Sequence, residues 1–319
     1  MGCLINGVWH DQGYDTASSG GAFVREDAGF RDVIKPGGRF TPTSGRYHLY
    51  VCMACPWAQR TLIMRKLKGL ETHIGVSMVR PHMLEEGWVY DPPEPLYGFS
   101  HHYQLYTLAK PDYTGRVTVP VLWDTQEHTI VNNESSEIMR IFNTAFNDLT
   151  GNTADFYPLA LRDEIERINS RVYDEVNNGV YKTGFATSQT VYETECLTLF
   201  AALDWLDQLL GERRYLTGER ITEADWRLFT TLLRFDPVYH GHFKCNIRRI
   251  EDYPNLSGYL RELYQWPGVA ETVDIEEIKQ HYYYSHIAIN PTQIVPLGVG
   301  QDLTAPHGRG APPAEWLGM

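Results

Sequence analysis

Nothing in this chain marks it for a membrane or for nucleic acid. No uninterrupted apolar run approaches the length of a bilayer span. The opening residues Met1-Gly2-Cys3-Leu4 lack the basic start and apolar stretch of a signal peptide. They share only Gly2 with a myristoylation signal, because Asn6 stands where Ser or Thr is wanted. The expectation is a soluble, cytoplasmic protein. The formal charge of −12, with no basic block, excludes the usual electrostatic footprint of a nucleic-acid binder. Cysteine is sparse, with five spread over 319 residues. An odd, scattered set reads as reduced thiols in a reducing compartment, not as a disulfide framework. There are no internal repeats. No second C-x-x-C and no His pair completes a zinc site, so no metal is expected.

What the chain has in quantity is aromatic side chains, with 20 Tyr and 8 Trp. Half-buried packing with the polar tip in water explains most such residues. A pocket for a flat aromatic ligand is the sharper reading, and composition alone favours packing.

Along the chain, residues 1–46 are rich in Gly, Ser and Asp and read as an irregular arm. Residues 46–51 are a short aromatic and β-branched run, a strand by pattern. Residues 57–67 carry helical spacing, with Leu62, Ile63 and Leu67 on one face, and 72–79 form a second strand. Strand, helix and strand within this span make one βαβ unit. Residues 80–113 read as loop. Residues 117–124 read as a strand containing Pro120, 129–131 as its partner, and 134–145 as a helix. This α/β domain is placed at 47–150. Residues 151–289 are almost purely helical by pattern: 159–176, 189–210, 222–235, 256–265 and 275–283. Residues 290–319 regain Pro and Gly and read as an extended tail.

The chemistry centres on Cys55-Pro56-Trp57-Ala58. A cysteine that ends a strand and precedes proline is placed at the first turn of a helix, where proline is at home. Unpaired N–H groups and the positive helix end favour thiolate over thiol, which makes a nucleophile. The alternative is a buried structural cysteine. Cys52 completes a C-x-x-C with Cys55, which also suggests a dithiol pair or half a zinc site. In thioredoxin-like redox motifs, however, the resolving cysteine lies three residues after the attacking one, and Ala58 occupies that position. Cys52 is expected on the strand side, pointing away from the helix end. An adduct on Cys55 then needs an outside thiol such as glutathione. Val119-Pro120 is the second element. A proline inside an apolar strand belongs at an edge or a special turn; in thioredoxin-like domains such a proline is cis and leaves the preceding backbone, here Val119, free for a cysteinyl group, and an ordinary edge proline is the alternative. The third is Asn133-Glu134-Ser135-Ser136 at a helix start. Glu134 suits the ammonium and Ser135 the carboxylate of a γ-glutamyl group, and simple capping by Asn133 or Ser135 is the alternative.

Cys55-Pro56-Trp57-Ala58, then Val119-Pro120, then Glu134-Ser135, then a helical half, resembles a glutathione transferase. The longer strings resemble its xi class, the glutathionyl-hydroquinone reductases. They include Gly21-Ala22-Phe23-Val24-Arg25, Gln59-Arg60-Thr61-Leu62, and Gly115-Arg116-Val117-Thr118 leading into Val119-Pro120-Val121-Leu122-Trp123-Asp124. Further along come Asn178-Gly179-Val180-Tyr181-Lys182, Asp236-Pro237-Val238-Tyr239, His242-Phe243-Lys244-Cys245-Asn246 and His281-Tyr282-Tyr283.

The resemblance implies a thioredoxin-like α/β N-terminal domain followed by an all-α C-terminal domain, and a homodimer. It implies that Cys55 attacks the sulfur of a glutathionyl-hydroquinone and that a second glutathione clears it. Trp88, Arg116, Val119, Glu134 and Ser135 would line the glutathione site. Tyr181 and Tyr282, with Tyr239, would hold the hydroquinone. Three residues depart from the pattern: Gln59 for His, Tyr283 for Gly, and Cys52 for a small polar residue. The competing readings are an omega-like thiol transferase or dehydroascorbate reductase using the same cysteine, and a non-catalytic binding protein on this fold.

Overall fold

The computed structural model describes residues 2–298 and 300–311. The end of the expected tail, 312–319, lies outside the described residues. The chain forms two compact units. The first comprises the stretch up to Gly13, Arg25–Ala154 and Glu276–His281; the second comprises Tyr14–Val24, Asp155–Ile275 and the described residues from Tyr282 onward.

The first unit is built on a four-stranded mixed sheet. Strand β3 (Tyr47–Val51) leads into helix α1 (Pro56–Leu67), which returns to β4 (Ile74–Met78). β3 and β4 are parallel with Leu49 opposite Val76, so the βαβ unit read from the pattern is present. β6 (Val121–Asp124) runs antiparallel to β3, and β7 (Thr129–Asn132) antiparallel to β6, giving the order β4-β3-β6-β7. All five residues of β3 are buried, as a strand covered on both faces requires. The third strand starts at Val121 and not at 117. Pro120 has no N–H to give a ladder, so pairing begins only after it. Helix α3 (Ser135–Thr144) packs against α1, and a short turn of helix, α4 (Asn147–Thr150), follows.

The arm is more regular than its composition suggests. β1 (Cys3–Ile5) and β2 (Val8–His10) form an antiparallel hairpin, and β1 also pairs with β5 (Gly115–Arg116). The two-residue turn is Asn6-Gly7, both at positive φ, the pairing that a tight hairpin favours. Gly7 is doubly constrained, because a Cβ there would lie 2.0 Å from the Pro111 carbonyl oxygen. The stretch expected as loop also contains helix α2 (Tyr103–Ala109), which at seven residues is too short to show a period.

The second unit is helical: α5 (Arg162–Val172), α6 (Gly179–Gly184), α7 (Gln189–Glu212), α8 (Glu223–Arg234), α9 (Leu256–Tyr264) and α10 (Ile275–Ser285), with Glu276–His281 of α10 counted in the first unit. Every residue of α8 is buried. Its start is held by a capping box. The Asp225 carboxylate accepts the N–H of Thr222 at 2.8 Å and of Leu216 at 2.9 Å, and the Tyr259 hydroxyl at 2.8 Å. After α10 the described residues form no helix or strand. They are tied down all the same: Arg309 Nε donates to Glu262 at 2.6 Å, and Gln265 Nε2 donates to the carbonyls of Leu303 and Ala305. Among the described residues no helix is long and apolar enough to cross a membrane.

Burial lowers His48 and His102, both in the first unit, from the ordinary histidine range to about 4. Each stays neutral in the fold and takes a proton on unfolding below about pH 6.5, so stability falls as pH drops from there to about 4. Each contributes about 1.4 kcal/mol per pH unit in that window. Burial raises Asp225 of the second unit to about 6, which acts in the opposite sense between its unfolded value and that pH. Urea denaturation between pH 7 and 4 should show the first unit losing stability toward acid, and His48→Gln should flatten that slope.

Candidate active site

Cys55 occupies the N-cap of α1, in extended conformation at φ −79° and ψ 121°, with Pro56 next in the first turn. Its own N–H donates to the Cys52 carbonyl at 3.1 Å, and its carbonyl accepts from Gln59 at 3.0 Å. The residue therefore closes the turn after β3 and opens the helix at once. Its thiol is 8% exposed and lies 3.6 Å from the carbonyl oxygen of Val119. Val119-Pro120 is a cis peptide, as expected. The two elements that the sequence singled out separately are thus in contact.

Cys52 is fully enclosed, at 0% exposed. Burial first, then the nearby Glu277 and Cys55, pushes its thiol well above the ordinary cysteine range. The Cys55 N–H bond to its carbonyl places both cysteines on one tight turn.

The start of α3 is organised around Glu134, which is itself the N-cap. Its carboxylate accepts from Ser136 N at 3.0 Å and Ser136 Oγ at 2.8 Å. Neither Asn133 nor Ser135 does the capping. Ser135 is buried, and Arg60 Nη1 donates to its hydroxyl at 3.4 Å. Arg60 also lies 4.5 Å from the centre of the Trp57 ring, and Arg25 lies 4.7 Å from the same centre. A buried guanidinium beneath Ser135 makes that hydroxyl a favourable place for a carboxylate. Sequence reasoning assigned Arg60 no role; only the fold brings it to Ser135.

A polar network holds the backbone just before the cis bond. The Thr118 carbonyl accepts from His102 Nε2 and from the Tyr106 hydroxyl, both at 2.9 Å. Tyr106 in turn accepts from Thr118 N and Asn133 Nδ2, each at 3.2 Å. His102 Nδ1 takes the Tyr90 hydroxyl at 2.6 Å, so the neutral tautomer with Nε2–H satisfies both contacts. The network ties the Val119 loop to Asn133, next to Glu134. Tyr90, His102 and Tyr106 had not been singled out, and Asn133 had been weighed only as a helix cap.

Trp88 is buried and stacks on His281, centroids 5.0 Å apart at 21°. Arg116 donates to the carbonyls of Gln12 and Gly13 and pairs with Glu26 at 3.4 Å. It anchors the N-terminal stretch.

Cys55, Trp88, Arg116, Val119, Glu134 and Ser135 all belong to the first unit; the three tyrosines belong to the second. Their hydroxyls form a chain, with Tyr181 to Tyr282 at 2.7 Å and Tyr239 to Tyr282 at 2.9 Å. Burial drives Tyr239 and Tyr282 well above the ordinary phenol range, partly offset by the buried Arg234 guanidinium. At neutral pH these two phenols keep their protons. Three hydroxyl protons serve two internal contacts, so one must go to an acceptor outside the trio. Phe23 and Phe243 pack on Tyr181 at 6.1 and 5.6 Å between centroids. The result is an aromatic lining with a hydroxyl chain in it.

Residues 54–145 match the glutathione S-transferase N-terminal domain family, and 189–262 match its C-terminal domain family. The chain is 56% identical to glutathionyl-hydroquinone reductase YqjG of Escherichia coli K12, over 97% of this chain and 98% of that one. It is 55% identical to glutathionyl-hydroquinone reductase PcpF of Sphingobium chlorophenolicum, over 95% and 98%. The glutathione-bound structure of YqjG superposes with a TM-score of 0.88 at 53% identity, covering 97% of this chain and 99% of that one. A xi-class transferase from Natrialba magadii superposes with a TM-score of 0.90 at 46% identity, covering 97% and 96%.

Tyr106→Phe removes one hydroxyl that serves both Thr118 and Asn133 and takes the acceptor from the Thr118 N–H and the buried Asn133 amide. It should cost about 2 kcal/mol of stability in chemical denaturation. Phe30→Leu, at a ring that touches Tyr106 edge-on, leaves those bonds in place and should cost less.

Proposed function

Because the chain belongs to the glutathione transferase family, within its xi class of glutathionyl-hydroquinone reductases, we propose that it removes glutathione reductively from glutathionyl-hydroquinones through Cys55. The Cys55 thiolate attacks the glutathionyl sulfur. The carbon–sulfur bond breaks, the ring carbon takes a proton, and hydroquinone leaves. Cys55 then carries a mixed disulfide. A second glutathione, as thiolate, attacks the glutathionyl sulfur, releases glutathione disulfide and restores Cys55. The helix start supports the first step, since its N–H groups and dipole favour the anionic sulfur.

Glutathione is the co-substrate in this reading. Glu134 takes its γ-glutamyl ammonium and Ser135, backed by Arg60, takes the carboxylate. The Val119 backbone pairs with its cysteinyl part, and Trp88 and Arg116 complete the site. The Val119 carbonyl that now accepts the Cys55 thiol becomes available when the sulfur ionises. Tyr181, Tyr282 and Tyr239 hold the ring oxygens.

The observation that carries the ring specificity is the linked trio of phenols. Kept protonated by burial, they can donate to a ring oxygen and pass a proton toward the departing carbon. A simple disulfide or dehydroascorbate reductase needs no such lining. The same reading makes the protein a cytoplasmic homodimer, which size-exclusion chromatography with light scattering checks.

With glutathionyl-hydroquinone and excess glutathione, wild type should turn over and Cys55→Ala should lose essentially all activity. Equal activity in Cys55→Ala removes the nucleophile. Tyr282→Phe should lower kcat on the quinone conjugate by about a hundredfold while leaving the reduction of a simple mixed disulfide within a few-fold. Equal losses on both substrates would favour the general thiol transferase.

A further inference from the structure

Cys52 and Cys55 form the only C-x-x-C pair in the sequence, and the mechanism above uses one of its two sulfurs. Their spacing is set by a hydrogen-bonded turn: Cys55 N–H donates to the Cys52 carbonyl across Met53 and Ala54. Such a turn brings the first and fourth Cα atoms within about 7 Å. A disulfide needs a Cα separation of about 4.4 to 6.8 Å, which this turn can meet. The two thiols are also near enough for a charge on Cys55 to weigh on Cys52. Both residues are thiols here. Cys52 is closed off from solvent, whereas Cys55 retains a small exposed surface. An outside thiol or disulfide therefore reaches Cys55 and not Cys52.

We infer that Cys52 is a slow internal resolving thiol, which displaces glutathione from glutathionylated Cys55 when no outside thiol arrives and leaves a Cys52–Cys55 disulfide. The inference rests on the reading that Cys55 carries a glutathionyl group during turnover. The step balances as an exchange. Cys52 gives up its proton and its sulfur bonds to Cys55 Sγ. The bond from Cys55 to the glutathionyl sulfur breaks, and glutathione leaves as a thiolate that takes the proton. One disulfide is lost and one is made, so no further oxidant is required.

Two opposing effects set the rate. The attacking sulfur must ionise, and burial holds Cys52 well above the ordinary thiol range, so its thiolate is scarce. Against that, the two sulfurs are held on one turn, and such proximity corresponds to a very high effective concentration. With glutathione plentiful, the outside thiol wins and Cys52 stays idle. With glutathione depleted, the enzyme closes into a disulfide in which neither sulfur is open to further oxidation. A dithiol, or two glutathiones in turn, reopens it by taking the disulfide's two oxidising equivalents. The enzyme then has a second activity, disulfide exchange with a dithiol reductant, that a lone cysteine lacks.

The test is a single-turnover experiment on the full chain. One equivalent of glutathionyl-hydroquinone is added without glutathione, and samples are acid-quenched for intact mass and peptide mapping. Wild type should gain one glutathionyl group, then lose it to become lighter than the reduced protein by two hydrogens, with the 52–55 peptide cross-linked. Cys52→Ala and Cys52→Ser should hold the adduct at least about tenfold longer. Dithiothreitol should return wild type to the reduced mass. An adduct equally persistent in wild type and Cys52→Ala, with no cross-linked peptide in wild type, overturns the inference and leaves the catalytic reading standing. A wild type that never acquires a glutathionyl group takes down both.

Discussion

The first unit depends on how strand β3 is turned into helix α1. The bond from Cys55 N–H to the Cys52 carbonyl ends the strand, and Pro56 starts the helix where its missing N–H costs nothing. Cys55 is left as the hinge residue, extended on one side and helical on the other. That geometry points the sulfur at the loop after β5 and not into the sheet, and the thiol meets the Val119 carbonyl. Shift the proline by one residue and the cap, the sulfur and the contact all move together.

The loop that receives the thiol is held as firmly as the helix that presents it. Thr118 has both its peptide groups bonded to Tyr106, and its carbonyl takes a further donor from His102. These bonds are partly buried, so each one left unmade would carry part of a desolvation cost. The second unit uses burial differently. There the same loss of water keeps phenols protonated and lines their hydroxyls up, with the Arg234 charge moderating the effect. One unit thus fixes a thiol at a helix start, while the other uses exclusion of water to preserve acids.

The order of elements was largely legible. Cys-Pro after an aromatic strand, a proline inside an apolar run, and an acid-serine pair before a helical pattern are local signals, and each appears where the spacing placed it. The five long helical patterns of the second half also appear, with ends moved by a few residues. What escaped was of two kinds. The β1–β2 hairpin had a local signal, Asn6-Gly7, that the polar composition of the arm obscured. Arg60, Tyr106 and His102 had none, and Asn133 read only as a helix cap, because their meaning comes from partners far along the chain. Arg60 and Ser135 are 75 residues apart and Asn133 and Tyr106 are 27 apart.

Gly184, the last residue of α6, touches none of the hydroxyls, yet it limits how their surroundings can change. A Cβ there would sit 2.2 Å from the Phe243 ring. Phe243 stacks on both Tyr239 and His286. Any larger residue at 184 must displace a ring that is already held by these two neighbours. Mutational drift, or a library aimed at widening the acceptance of bulkier quinones, therefore meets a steric limit at 184 and has to work through other rings of the cluster, such as Phe23 and Phe185, which also stack on Tyr181.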